Sequence, residues 1–433
     1  MPPEIVGLLG IAALVALLLL RVQVGLAMLA VSTAGYAVIV SPAAGLTRLG
    51  GDLYRSAASF SLSVVPLFIL MGFVLAQSDV GADLFRSLNR FFGRVPGGLG
   101  VSTVGASSLF AAVSGSAMAS ASTMATVAVP EMRKYGYDPG YSAACAAVGG
   151  TLGALIPPSA VLVLYGVLTE ESIGSVLIAG IIPGFMTTLV LMLTAGIIGV
   201  FRPSLAPRRS ANGSSMSRLS AVALAWPVPV IFGVSMGGIY AGVFTATEAG
   251  AVGAFMAIIY AAATRRLSFA DLSTSLSSTV RITAMIFLIV IGGISFGFFI
   301  SLSRIPAALL RFVTTVDLAP ALIVALIFVV YFLLGVIMEE LAILVIMTPI
   351  MYPVIIGLGY DGIWFGILTT MMLLTGLLTP PIGLIVFVVS GVSGVRLGPI
   401  FRRVVPFWVA LIVCIAVVIV LPEVVTFLPD VMR

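Results

Sequence analysis

Residues 153–159 read Gly-Ala-Leu-Ile-Pro-Pro-Ser, and they lie in the middle of an apolar run, GTLGALIPPSAVLVLYG, of membrane-crossing character. Proline inside a helix removes a backbone donor and clashes with the preceding turn, at a cost of about 3 kcal/mol or more. The backbone groups it frees cannot be left facing lipid. Pro157 and Pro158 therefore read as a break in a membrane helix, an unwound stretch at mid-membrane depth that the rest of the protein must shelter.

The composition supports a membrane setting. Of 433 residues, 61% are hydrophobic and 9% charged, whereas soluble domains carry roughly 25% charged residues. The length then means one polytopic bundle rather than two or three soluble domains. There is no histidine, which removes the commonest general base and imidazole metal ligand. Cys145 and Cys414 each sit in an apolar run without a CxxC neighbour, so they read as small buried hydrophobes rather than a disulfide or zinc site. The net charge of +5 comes from arginines in loops, which orientation explains better than nucleic acid does. The N-terminal run has Glu4 and no basic residue before it, the pattern of a retained first span rather than a signal peptide.

Runs and breakers give about ten crossings, near 4–20, 23–40, 61–77, 141–168, 175–200, 219–238, 241–263, 279–302, 362–391 and 404–427. Residues 98–129 and 319–357 are apolar stretches interrupted by AVSGSAMAS and LGVIMEELA, and each reads as a re-entrant hairpin with its tip buried in protein. With both termini outside, the outer face keeps Arg48, Arg55, Arg304, Arg311 and Arg433, leaving 16 of the 21 Lys and Arg, including Arg208 and Arg209, for the cytoplasmic face. That is a strong positive-inside bias.

The chain also repeats. A shift of 223 residues carries Pro130 onto Pro353, Gly136-Tyr137-Asp138 onto Gly359-Tyr360-Asp361, Gly153 onto Gly376, Pro157-Pro158 onto Pro380-Pro381 and Pro183 onto Pro406. The spacing from hairpin to break is preserved, 42 residues from Gly115 to Pro157 and 42 from Met338 to Pro380. The expected fold is an all-α polytopic membrane protein built from an inverted repeat, each half with about five crossings, one hairpin and one broken helix. The halves are 1–200 and 219–433, joined by a polar, Arg-rich cytoplasmic connector over 201–218. Inverted repeats with paired broken helices are the sequence signature of a secondary transporter.

Broken helices offer half-helix N-termini to an anionic group and unwound carbonyls to a hard cation such as sodium. Gly149, Gly150, Gly153 and Gly376 permit close backbone approach, and Ser114, Ser116, Thr151, Ser159, Thr375 and Thr379 supply hydroxyls near the four irregular points. A lone Pro-Pro kink or a small-residue run such as SGSAMASASTMA is more often a packing device; the duplicated spacing is what favours a site. Glu339 and Glu340 stand at the second tip, where Glu339 either ligates a cation or caps a half-helix. Glu248 is expected to make a buried structural hydrogen bond. Arg86, Arg90 and Arg94 recur at helical spacing, as on an amphipathic interfacial helix with a basic face.

At SGSAMAS, GYDPGYSAACAAVGGTLGALIPPS, TATEAGAV, LGVIMEELAILVIMTPIMYPV and GLLTPPIG the chain resembles the large membrane subunit of tripartite ATP-independent periplasmic (TRAP) transporters. The resemblance implies a sodium-coupled importer of a small organic anion in the bacterial inner membrane, working by an elevator motion, with both termini periplasmic. It also implies a separate small four-helix membrane subunit and a periplasmic substrate-binding protein, and no organic cofactor. Its cation sites lie where hairpin tips meet broken helices, here 114–117 with 149–157 and 335–339 with 375–380. The cation candidates are then Ser114, Ser116, Gly149, Gly150, Thr151, Gly153, Pro157, Gly335, Glu339, Thr375, Gly376 and Thr379. The substrate candidates are Ser114, Gly115, Ser116, Ser159, Thr375, Thr379, Pro380 and Pro381. Met372 stands where many relatives have Asn, which removes one polar contact. No GxxxxGK[ST] occurs, so the chain hydrolyses no ATP through a P-loop. The alternatives are a standalone ion-coupled anion symporter, an intramembrane enzyme, and a scaffold or assembly factor.

Overall fold

The computed structural model describes residues 1–207, 217–315 and 320–432. Arg208, Arg209 and Arg433, and half of the connector expected over 201–218, lie outside the described residues. Every regular element within them is helical. Six helices are long and apolar enough to cross a membrane, or seven if Arg218–Ala225 and Pro227–Tyr240, bent by 44° at their junction, form one span. One of the six, Glu340–Gly357, falls in the stretch expected to be re-entrant, and several expected crossings are shorter apolar helices, among them Pro3–Leu19 and Val24–Ile39.

Several boundaries differ from the sequence expectation, each for a local reason. The crossing expected at 279–302 starts ten residues earlier, as the 34-residue helix Phe269–Leu302. Ser268 and Asp271 form a capping box there, and hydropathy does not register the polar first turns that follow a cap. The crossing expected at 241–263 starts only at Ala246, because Thr245 caps it. Glu248 consequently falls in an exposed first turn and closes a capping box with Thr245, which corrects the expectation that its hydrogen bond is buried.

Both expected hairpins are helix–turn–helix units. The first is Gly98–Ser114 with Ala117–Lys134, and the second is Pro320–Ile337 with Glu340–Gly357. Both expected broken helices are interrupted. One runs Pro139–Thr151, passes a short 3-10 turn and resumes as Ala160–Thr169; the other runs Gly362–Gly376 and resumes as Leu384–Ser393. Both Pro-Pro bonds are cis. The repeated Gly-Tyr-Asp has a visible purpose. Asp138 accepts the Tyr141 amide at 2.8 Å and Asp361 accepts the Trp364 amide at 2.8 Å, so each motif caps a broken helix and satisfies an orphan N-terminal donor.

Apolar side chains gain little by leaving lipid for protein, so membrane helices associate through close packing of small residues. The segment PGYSAACAAVGGT obeys this rule: every residue from Gly140 to Thr151 is buried, wedged between the first hairpin and Leu397–Val420. Across the two halves, the Tyr165 hydroxyl donates to the Gly362 carbonyl at 2.5 Å and the Tyr352 hydroxyl donates to Glu171 at 2.6 Å. These bonds tie the first broken helix to the second broken helix and the second hairpin.

A second body forms around Phe269–Leu302, which packs on Val24–Ile39 and Val64–Gln77, the latter also against Ala246–Ala263. Two buried aspartates fasten it. Asp52 pairs with Arg48 at 2.9 Å and accepts the Ser295 hydroxyl at 2.8 Å, while the Arg48 guanidinium lies 3.6 Å from the Phe298 ring centroid. Asp83 pairs with Arg266 and, at 3.2 Å, with Arg86. The Asp83 hydrogen bond raises the Arg266 guanidinium above its ordinary range. Arg86 and Arg90 lie on the expected amphipathic helix, Val80–Phe92, and Arg94 just beyond it. Cys145 and Cys414 are buried free thiols.

Candidate functional site

The tips of the two hairpins face one cavity of about 320 Å³. Ser114, Gly115 and Ser116 contribute from the first tip and Glu339, Glu340 and Leu341 from the second. The opposing wall is apolar, with Ile69 and Phe73 on one helix of the second body and Ile282, Met285 and Ile286 on another. Among its lining residues the two glutamates are the only ionisable groups.

The first tip is held from beneath by the first break. Gly115 ends its helix at φ +60, and a Cβ there would lie 2.4 Å from the Pro158 carbonyl oxygen, so only glycine fits both the left-handed backbone and the contact. The Gly115 carbonyl in turn accepts the Ala160 amide at 3.3 Å. Ser116 caps Ala117–Lys134 by accepting the Ala119 amide. Ser114 Oγ is buried with no hydrogen-bond partner. Beneath the tip, Gly149 and Gly150 back onto Ser107 and Ala121, and Gly153 backs onto the Ser116 carbonyl. Thr151 donates to the Val148 carbonyl, and Ser159 donates to the Ala154 carbonyl at 2.5 Å while capping Ala160–Thr169. Pro157, like all of residues 151–159, is buried.

The second tip meets its break differently. A Cβ on Gly376 would lie 2.7 Å from Gly335 Cα, so the hairpin helix lies directly on the broken one. Glu339 caps Glu340–Gly357 by accepting the Ala342 amide at 3.3 Å; the capping role therefore has its contact. Glu340 is 7% exposed, and its Oε2 has no partner. Thr375 donates to the Met371 carbonyl; Thr379 donates to the Thr375 carbonyl and accepts from Trp408 Nε1 at 2.9 Å. Pro380 and Pro381 are exposed, unlike Pro157 and Pro158. None of Thr375, Thr379, Pro380 and Pro381 lines the cavity between the tips. Met372 is packed against the core.

A larger cleft of about 790 Å³ lies farther along the same helices, lined by Arg48, Arg55, Glu170, Glu171 and Phe298 among others. On Phe269–Leu302 it touches Ile294, whereas the cavity touches Ile282–Ile286. At 1.5 Å per residue the two are roughly 12 Å apart along the axis. Sequence reasoning missed the apolar wall residues, which no pattern distinguishes from lipid-facing ones, and it left Glu340 without a role.

Taken with the paired hairpins and breaks, the cavity marks a polytopic membrane transport protein rather than a catalytic one. Residues 11–424 match the family described as tripartite ATP-independent periplasmic transporter, DctM component. The chain is 33% identical over 380 residues to the C4-dicarboxylate TRAP transporter large permease protein DctM of Pseudomonas aeruginosa, covering 87% of this chain and 88% of that one. It is 30% identical over 394 residues to the sialic acid large permease SiaM of Vibrio cholerae (91% and 92% covered) and 31% identical over 424 residues to the ectoine large permease TeaC of Halomonas elongata (97% and 98% covered). Among solved structures it resembles the YdaH transporter of Alcanivorax borkumensis, with a TM-score of 0.69 at 12% identity, covering 97% of this chain and 98% of that one. The last likeness is one of fold. The chain belongs to the TRAP transporter family as a large permease subunit, a multi-pass inner-membrane protein and not an enzyme.

Proposed function

We propose that this subunit imports a small carboxylate-bearing solute, driven by a sodium gradient, and that the hairpins and broken helices move together as an elevator against the body around Phe269–Leu302. The observation that carries the reading is the cavity between the tips. It joins the half-helix start at Ala117, whose partial positive charge favours an anion, and the second tip at Glu340 to an apolar wall from the other body. The Tyr165–Gly362 and Glu171–Tyr352 bonds support motion of the hairpins and broken helices from both halves as one unit. Inverted repeats over 1–200 and 219–433 would give the two tips their opposed approach.

Sodium is assigned to the contacts between tip and break, at 114–117 with 149–157 and at 335–339 with 375–380. Ser114 Oγ, buried without a partner at a helix C-terminus, fits a hard cation that takes oxygen ligands. With the orientation set by the Lys and Arg count, both termini are periplasmic. A separate small membrane subunit and a periplasmic binding protein complete the system.

The test is uptake into proteoliposomes. Solute delivered by the cognate binding protein should accumulate under an inward sodium gradient and stop when the gradient is collapsed. Equal uptake without either partner would establish a standalone symporter instead.

A further inference from the structure

Glu339 is the N-cap, with extended backbone, and Glu340 is the first residue of the helix Glu340–Gly357. Their carboxylates accordingly do different things. Glu339 turns to the helix and accepts the Ala342 amide. Glu340, 7% exposed, lines the cavity with Oε2 unpartnered. A buried carboxylate without a partner is expensive, and none of the residues lining the cavity is a lysine or arginine. A group that enters the cavity can supply that partner.

The opposite tip asks for the reverse charge. Ser116 caps Ala117–Lys134, placing a helix N-terminus at the cavity. That end suits a carboxylate. A solute with a carboxylate at each end would set one of them against Glu340, with like charges in a poorly screened space. A solute with one carboxylate and one ammonium satisfies both ends.

We propose that Glu340 is a specificity-determining residue that holds a protonated amine of the transported solute, so that the physiological substrate class is zwitterionic. This rests on the transport reading above and narrows it. The experiment uses the complete system, with the binding protein purified from its native host and its bound ligand identified by mass spectrometry. The expected ligand carries both a basic nitrogen and a carboxylate. In proteoliposomes E340Q should lower sodium-driven uptake of that ligand by roughly tenfold to a hundredfold, chiefly through KM, as loss of a charged hydrogen bond predicts. E340D, which keeps the charge on a shorter arm, should recover part of the rate, and this recovery separates a charge requirement from misfolding. A nitrogen-free ligand, or unchanged uptake by E340Q, overturns the proposal and leaves the transporter reading intact. Loss of uptake in E340Q with a nitrogen-free ligand would mean that the carboxylate serves something other than an amine and also overturns it. No sodium-driven uptake by the unaltered protein would instead overturn the transport reading, and this inference with it.

Discussion

Gly115→Ala isolates the contact between the first tip and the first break. The substitution places a Cβ on a residue at φ +60, and that atom would meet the Pro158 carbonyl oxygen at 2.4 Å. Left-handed backbone costs a non-glycine residue roughly 1–2 kcal/mol, and forcing an extra carbon into a packed contact adds about 1–3 kcal/mol. Gly359→Ala is the matched control, since Gly359 is at φ +84 with nothing within 4 Å of its Cβ position. It should incur the backbone cost alone. The assay is thermal melting of the purified protein at increasing sodium, which yields both stability and apparent sodium affinity. If the tip and break together hold the ion, Gly115→Ala should weaken that affinity by roughly 5- to 150-fold while Gly359→Ala leaves it unchanged. Equal effects of the two substitutions on both stability and sodium affinity would refute the reasoning, because only one of them disturbs the contact.

Two further substitutions probe the fastenings. Arg266→Gln should destabilise by about 2–3 kcal/mol, more than the ~1 kcal/mol expected of Asp83→Asn, because it leaves a buried carboxylate short of a partner; melting midpoints would show the order, and the reverse order would contradict it. Tyr352→Phe removes one hydrogen bond to Glu171 at 2.6 Å and should cost about 1–2 kcal/mol, visible as faster proteolysis of the 170–172 loop.

The helical architecture was legible because proline, glycine and aspartate act locally. The Pro-Pro pairs foretold two interruptions where the chain does unwind, whereas the 223-residue echo of Gly-Tyr-Asp marked a repeat whose capping role only the structure shows. The same reasoning could not tell the two breaks apart. Pro157-Pro158 is buried under the first tip and Pro380-Pro381 is exposed, a difference made by neighbours distant in sequence. Asp52 and Asp83 escaped for the same reason. Their environments are set by Ser295, 243 residues away, and by Arg266, 183 residues away, and each sits on an amphipathic helix that hydropathy does not detect. Glu340 was visible as an intramembrane acid, but which of two adjacent glutamates turns inward depends on where the helix begins.

The Asp52 fastening bears on how the protein meets changing salinity. Ion pairs at a surface fade as the Debye length falls from about 10 Å at 0.1 M salt to about 3 Å at 1 M. Asp52 is 3% exposed, and although it lines the larger cleft, its tie to Phe269–Leu302 includes the Ser295 hydroxyl as well as charge, and a neutral donor is not screened as an ion pair is. The helix Pro42–Ala57 therefore stays docked from dilute medium to brine. For a protein whose proposed driving ion is itself the dominant salt, raising sodium then changes the occupancy of the ion sites without loosening the frame that holds them.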